Sequence, residues 1–418
     1  MPRAHHPTRP EIRLLEGSFY VDRPLDHYAW MRSQAPVYYD AEGDVWGICL
    51  HEDIMAVSKN PQLFCSGKGS RPEPGSWNPS MINLDDPEHK HHRNLVNRGF
   101  TPKRLLEHEI KIRRICTQLI DSVCERGECE FVREIAAPLP LIMIGDMLGM
   151  PEEDFETLLH WSETMLRATD VNASNEIRAA AGQAGLEWFQ YAMKTMADRR
   201  STPTGDLVSE LVHGKVDGIG LSDEQIAHET LLILVGGDET TRHVITEGML
   251  ALIEHPEQRA QLLAHPDQIT SAIEEMLRWV SPIKNMNRTV TQDTVLRGQT
   301  LREGDRLLLL YQSGNRDERA FDQPDQFQID RSPNQHVAFG GYGSHHCLGA
   351  SLARLELKIL FEELIRRLPD LSIQDQGPLP RRESNFIVGI ESMPVLFSPG
   401  PKEGARAKKA PACFRCLR

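Results

Sequence analysis

Apolar residues recur every three or four positions through six segments of this chain, the period of an amphipathic helix. The segments are 105–124, 152–167, 179–199, 222–253, 271–279 and 351–367. Two of them carry start signals: Ser222-Asp223-Glu224 puts a capping alcohol and two acids at one first turn, and Pro151-Glu152-Glu153-Asp154 puts a proline and three acids at another. Apolar runs at 45–50, 289–296 and 306–310 read as short strands, and 386–397 as a hairpin or paired strands. Between 317 and 339 the periodicity disappears. Asp, Gln, Pro, Asn and Arg dominate there, predicting a long irregular meander of a kind that is uncommon unless functional. The pattern as a whole is that of a mainly α, α+β protein with a small sheet.

Composition narrows the class. The 418 residues show no Pro/Gly/Ser-rich linker and no solenoid repeat, so one large domain is expected over 19–399, after an N-terminal extension of residues 1–18. A net charge of −13 argues against a nucleic-acid partner, which needs a positive surface field. The absence of a long apolar run argues against a membrane span, and the first residues lack the apolar core of a signal peptide. A cytoplasmic protein is expected, its eight cysteines reduced. Cys413 and Cys416 have the spacing of half a zinc site but no second pair. They sit in a basic tail, residues 400–418, expected to be a disordered end.

Four segments carry candidate chemistry. In Phe339-Gly340-Gly341-Tyr342-Gly343-Ser344-His345-His346-Cys347-Leu348-Gly349, glycines crowd before one cysteine and a helix follows it. Glycine lets a backbone approach a flat ligand, and a helix N-terminus favours thiolate. A thiolate ligand to haem iron favours O–O cleavage. A Gly-rich turn with an incidental core cysteine, or a metal site with His345 and His346, would also place these residue types together. The second segment is Gly236-Gly237-Asp238-Glu239-Thr240-Thr241 inside an apolar helix, where each glycine costs roughly 1 kcal/mol against alanine. A groove for dioxygen, with Thr240 and Glu239 or Asp238 relaying protons, accounts for both the glycines and the buried polar run. So does a kinked helix with its alcohols bonded back to the preceding turn. Third, Glu275 and Arg278 share a helical face, and Arg331 in the meander would complete a charge-assisted cluster; a solvated surface pair is the alternative. Fourth, His89 and Arg93 lie one turn apart. With Arg288, His336 and His345 they would face a dianionic cofactor edge, or each is a solvated basic residue.

In this order, the helix with Gly-Gly-x-Glu-Thr-Thr, then Glu-x-x-Arg, then the Gly-rich loop ending in Cys-x-Gly closely resembles the cytochrome P-450 family, over about residues 20–399. The resemblance implies a triangular, mostly helical prism with a small β-rich subdomain. It implies haem b as cofactor, Cys347 as its axial thiolate, and Thr240 with Glu239 as the oxygen-activation pair. Glu275, Arg278 and Arg331 become the core triad. His89, Arg93, Arg288, His336 and His345 hold the propionates, with Phe339, Gly340 and Gly349 against the ring. The family's commonest loop has one residue fewer between Phe339 and Cys347. The longer form is similar to mycobacterial members that hydroxylate terminal methyls of sterol or isoprenoid side chains. Cys124 to Val132, Ile144 to Gly149, Gly237 to His243 and Glu274 to Trp279 resemble the mycobacterial steroid C26-monooxygenases.

The implied reaction takes one oxygen atom from O2 and electrons from NAD(P)H, through an external ferredoxin reductase and a small ferredoxin docking on basic residues of the cysteine face. Met81, Ile82, Leu232, Val235, Gly236, Ile283, Met286, Phe386, Ile387 and Val388 are expected to line an apolar pocket. Cholesterol or cholest-4-en-3-one is the expected guest; fatty acids, methyl-branched isoprenoid lipids or another secondary metabolite are the alternatives. A haem protein that only binds ligands or senses gas would have no need of Glu239 and Thr240. A peroxide-using relative would have replaced that pair.

Overall fold

The computed structural model describes residues 5–403 apart from 22–23, 72, 74–77, 169–171 and 376. The cysteine-containing tail predicted at 413–416 lies outside the described residues. Nine helices position the site: α1 His51–Ser58, α2 Glu88–Val96, α3 Pro102–Val123, α4 Pro138–Met147, α5 Phe155–Arg167, α6 Asn175–Ser201, α7 Asp223–Glu254, α8 Ile269–Val280 and α9 Ala350–Arg367. The six periodic segments of the sequence are α3 and α5 to α9, with ends shifted by up to four residues. Helix α4 escaped the periodicity because Pro138–Met147 is apolar almost all round and buried on nearly every side, leaving no polar face to mark a period.

A five-stranded sheet combines β1 Val37–Asp40, β2 Val45–Ile48, β3 Phe64–Cys65, β5 Asn285–Val290 and β6 Arg306–Leu310, in the order β1-β2-β6-β5-β3. All pairs are antiparallel except β2 with β6, where Trp46 lies opposite Leu307. A second sheet joins β4 Glu128–Glu130, β8 Pro394–Leu396 and β7 Ser372–Ile373. The hairpin expected at 386–397 is mostly irregular. Only Pro394–Leu396 is a strand, and isolated bridges Ile283–Ile387 and Arg381–Ile390 hold the rest.

Helix α7 runs 32 residues through the middle, started by a capping box of Ser222 and Gln225. It packs on α4, α8, α6 and α9. The helical bonding continues through Gly236 and Gly237. A Cβ on Gly237 would lie 2.5 Å from Ile144 Cδ1, so this glycine permits the close crossing of α4 and α7. No helix of the described residues is long and apolar enough to cross a membrane.

The segment 317–339 is irregular, as its composition predicted, and it is fastened by charge. Arg278 is fully buried; it donates to Glu275 through Nε (2.8 Å) and Nη2 (2.8 Å), and to the carbonyls of Asn315 (2.7 Å) and Pro324 (2.8 Å). Arg331 donates to Glu275 at 3.0 Å and to the carbonyls of Gln323 and Gln326. The surface-pair alternative for Glu275 and Arg278 is thereby excluded. Removing Arg278 takes from Glu275 one of its two guanidinium partners and leaves the Asn315 and Pro324 carbonyls without that donor, at a cost of about 3–5 kcal/mol. Arg278→Leu is therefore expected to lower denaturant-unfolding stability by that amount, whereas Lys90→Leu on the exposed face of α2 leaves it near the parent value; unfolding curves check this.

Candidate functional site

One cavity of about 1450 Å³, its mouth included, opens between α7, α2, the cysteine loop and β5. Its walls include Met81, Ile82, Leu232, Gly236, Thr240, Ile283 and Met286 on the apolar side, and His89, Arg93, Arg288 and His345 on one polar edge. Phe339, Gly340, Cys347 and Gly349 also line the cavity. Sequence reasoning had named all of these. It had missed Glu356, Phe100, Ile144 and Leu352, which also line the space.

Other expected residues lie elsewhere. At about 100° per residue, Leu232, Ile233, Gly236, Gly237, Thr240 and Thr241 fall on one side of α7; Val235, Asp238 and Glu239 fall on another. Val235 is thus not a wall residue. Phe386 lies under the Arg71 guanidinium at 4.0 Å, Ile387 bridges the backbone of Ile283, and Val388 packs with Leu308 and Leu310. These three back the wall instead of lining it. His336 also turns away: its Nε2 lies 3.1 Å from Glu274, whose carboxylate also receives Arg354 at 2.6 Å. Burial pushes the Glu274 carboxyl up, but Arg354 and His336 outweigh it and hold it down at about 2.

The polar edge is short of acceptors. His89 gives Nδ1 to Asp86 (3.2 Å), while its buried Nε2 has no partner. Its ring lies 4.1 Å from that of His345. Arg93 donates to the His346 carbonyl at 2.6 Å and Arg288 to that of Asn287 at 2.7 Å; neither pairs with a carboxylate among the described residues. Burial, then Arg288, His89 and Arg93, hold His345 down at about 2. Buried cations call for anions, so this edge suits the two carboxylates of a haem. Open space also suits a flat ring: a Cβ built on Gly236 or Gly349 would meet nothing within 4 Å.

The cysteine loop is shaped by its glycines, only partly as expected. Gly340 takes φ +96°. Gly341 and Gly343 face α1, where a Cβ would lie 2.3 Å from Ser58 Oγ and 1.8 Å from the Ser58 carbonyl oxygen. They seat the loop on α1 and do not approach a ligand. Tyr342 takes φ +59°, donates its hydroxyl to the His336 carbonyl at 2.9 Å and stacks on His346. His345 and His346 thus contact different neighbours, His89 and Tyr342, and do not converge on an ion with Cys347. Cys347 is enclosed by protein, yet its surface is exposed toward the cavity. Burial pushes its thiol up, against the Gly349 N–H, Arg93, Arg354 and the Ala350 N–H. A metal ion bound there would add positive charge beside the sulfur and favour the thiolate.

Behind α7, Glu239 is fully buried. Its Oε2 receives Arg242 at 2.6 Å and Arg382 at 3.1 Å, with His243 at 3.3 Å. Burial opposes ionisation, but Arg242, His243 and Arg382 hold the carboxyl down at about 2. Thr240, on the cavity side, donates to the Gly236 carbonyl at 2.8 Å, the back-bonding expected of an alcohol in mid-helix. Asp238 accepts from Ser162 at 3.3 Å and is raised to about 7 by burial and by Glu239.

Comparison with known proteins agrees with this site. The family profile described as Cytochrome P450 matches residues 173–397. The chain is 47% identical over 398 residues to a steroid C26-monooxygenase of Mycolicibacterium smegmatis, covering 94% of this chain and 97% of that protein. It is 38% identical over 378 residues to a methyl-branched lipid omega-hydroxylase of Mycobacterium tuberculosis, covering 88% of this chain and 87% of that protein. Among solved structures it is similar to Mycobacterium marinum CYP268A2 in complex with pseudoionone, with TM-score 0.85 and 33% identity, covering 94% of this chain and 100% of the other. The fold and the thiol-bearing cavity are those of a haem-thiolate oxidoreductase. The chain belongs to the cytochrome P450 family, whose members are monooxygenases.

Glu356 supplies a test of the electrostatics. Burial, then the negative Asp238, raises its carboxyl from 4.5 to about 8. The folded protein therefore holds a proton there that the unfolded chain releases. That stabilisation is full below 4.5 and lost as pH rises through about 8. In Glu356→Gln this loss is expected to vanish, so the stability difference between variant and parent grows in the variant's favour across that window; denaturant unfolding at a series of pH values measures it.

Proposed function

We propose that this protein hydroxylates the terminal methyl of a steroid side chain, with cholesterol or cholest-4-en-3-one as substrate. The observation that carries the reading is the division of the cavity. The arginines and histidines His89, Arg93, Arg288 and His345 gather at the edge suited to propionates, and Met81, Ile82, Leu232, Ile283 and Met286 give the cavity an apolar wall. A branched alkyl tip suits such a wall, whereas a carboxylate or ketone brought close would lose its hydration without a partner. The steroid C26-monooxygenase at 47% identity supports the same guest.

In this reading Cys347 would ligate the haem iron, and His89, Arg93, Arg288 and His345 would hold the propionates. Haem, when bound, supplies the iron at which dioxygen is reduced and cleaved. One oxygen atom enters the C–H bond and the other leaves as water, with two electrons from NAD(P)H, through a ferredoxin reductase and a ferredoxin, and two protons. Thr240 presents its hydroxyl to the cavity, and Glu239, Asp238 and Glu356 are the acids that resupply its proton. For Glu239 to do so, its side chain must leave Arg242 and Arg382.

Two measurements test the proposal. Adding cholest-4-en-3-one to the ferric protein is expected to shift it to high spin and, with NADPH and redox partners, to give the terminal alcohol. An unchanged spectrum with the steroid, beside a high-spin shift with fatty acids, sinks the substrate assignment. For the ligand, Cys347→Ser is expected to lose the red-shifted Soret band of the reduced, CO-bound thiolate form; retention of that band removes Cys347 from its role.

A further inference from the structure

Glu229 takes no part in this chemistry, yet its contacts join three walls of the cavity. It lies on α7 one turn before Leu232 and is fully buried. Its Oε1 accepts the backbone N–H of Met81 at 2.7 Å and lies 2.6 Å from Nδ1 of His92. Gln225 fixes the direction of that second bond. Its Oε1 is held by the Ser222 N–H in the capping box at 2.9 Å, and its Nε2 donates to Nε2 of His92 at 3.2 Å. Nδ1 of His92 is left as the donor to Glu229. Met81 and Ile82 belong to the short turn Met81–Asn83 and both face the cavity. His92 sits on α2 beside His89 and Arg93 of the polar edge.

A buried carboxylate bonded to a neutral imidazole is a poor source of stability, because desolvation offsets much of the attraction. Two leucines would fill the same space. They would not hold the amide of the residue whose side chain roofs the cavity. We infer that Glu229 and His92 are positioning residues that fix the Met81–Ile82 wall over the haem site and so set the bulk of the guest admitted there. The inference rests on the family assignment and the cavity walls, and it is independent of the steroid reading.

Two azoles that bind haem iron test it without turnover. Imidazole is small enough to reach the metal without pressing on the wall; clotrimazole is bulky and must pack against it. In haem-loaded Glu229→Leu, the Kd for clotrimazole, read from the Soret shift, is expected to rise about tenfold, with that for imidazole within about twofold, the scale of one lost charge-assisted hydrogen bond. Glu229→Gln keeps an acceptor for the Met81 N–H and is expected to bind both azoles as the parent does. If Glu229→Leu takes up too little haem to titrate, His92→Leu, which removes only the second anchor, is expected to give a smaller change in the same direction. Equal changes for both azoles, or parent-like clotrimazole binding in the haem-loaded leucine variants, overturn the inference.

Discussion

The carboxylate of Glu275 is the fixed point from which the cysteine side of the cavity is built. A segment with little regular structure between residues 317 and 339 cannot satisfy its carbonyls by itself, and burying them unpaired is costly. Arg278 and Arg331 solve this together: each gives part of its guanidinium to Glu275 and the rest to meander carbonyls. The neighbouring Glu274 points elsewhere on the same helix and takes His336, at the end of the meander, and Arg354, on the helix after Cys347. Two consecutive acids of α8 thus hold both the approach to the thiol loop and its departure. Asn315 adds a neutral link, accepting the Val337 N–H at 2.7 Å and donating to Ser281 at 2.8 Å.

This arrangement explains what could be read from the sequence. Amphipathic helices were legible because one face of each is wet. The Gly-Gly, Glu-x-x-Arg and Cys-x-Gly segments were legible because they break local rules at fixed spacing, and such breaks mark sites. Helix α4 was not, since it has hardly any wet face. Nor was the partner of His336: nothing local links it to Glu274, 62 positions away. Phe386, Ile387 and Val388 share the composition of wall residues, and only the third dimension shows that they pack on Arg71, Ile283 and the Leu308–Leu310 core instead. The glycines of the loop were recognised as necessary but for a partly mistaken reason, since Gly341 and Gly343 answer to Ser58 of α1.

Helix α7 is where the competing demands meet. Toward the cavity it offers aliphatic side chains, an open glycine and the Thr240 hydroxyl; behind, within the same turns, it buries Asp238, Glu239, Arg242 and His243. An all-apolar helix would pack with less electrostatic cost. The buried face instead receives Arg382 from the C-terminal segment at Glu239 and Glu163 of α5 at Arg242, so two distant pieces of chain are registered against it by directional bonds.

The same logic recurs at Glu229, Glu239 and Glu275. Each is a fully buried carboxylate on a helix that accepts from at least one segment remote in sequence. Hydrophobic burial, at about 25 cal/mol per Å², rewards any close packing and is nearly indifferent to a slip of an ångström or to rotation of one element on another. A carboxylate is not: lengthening or bending its bonds leaves a buried charge poorly solvated, and the energy rises steeply. Apolar contacts therefore make this fold compact, while the three buried acids fix where the meander, the C-terminal segment and the Met81–Asn83 turn sit around one cavity. An oxygen-inserting site that must distinguish one C–H bond from its neighbours has more use for that second kind of constraint than for extra stability.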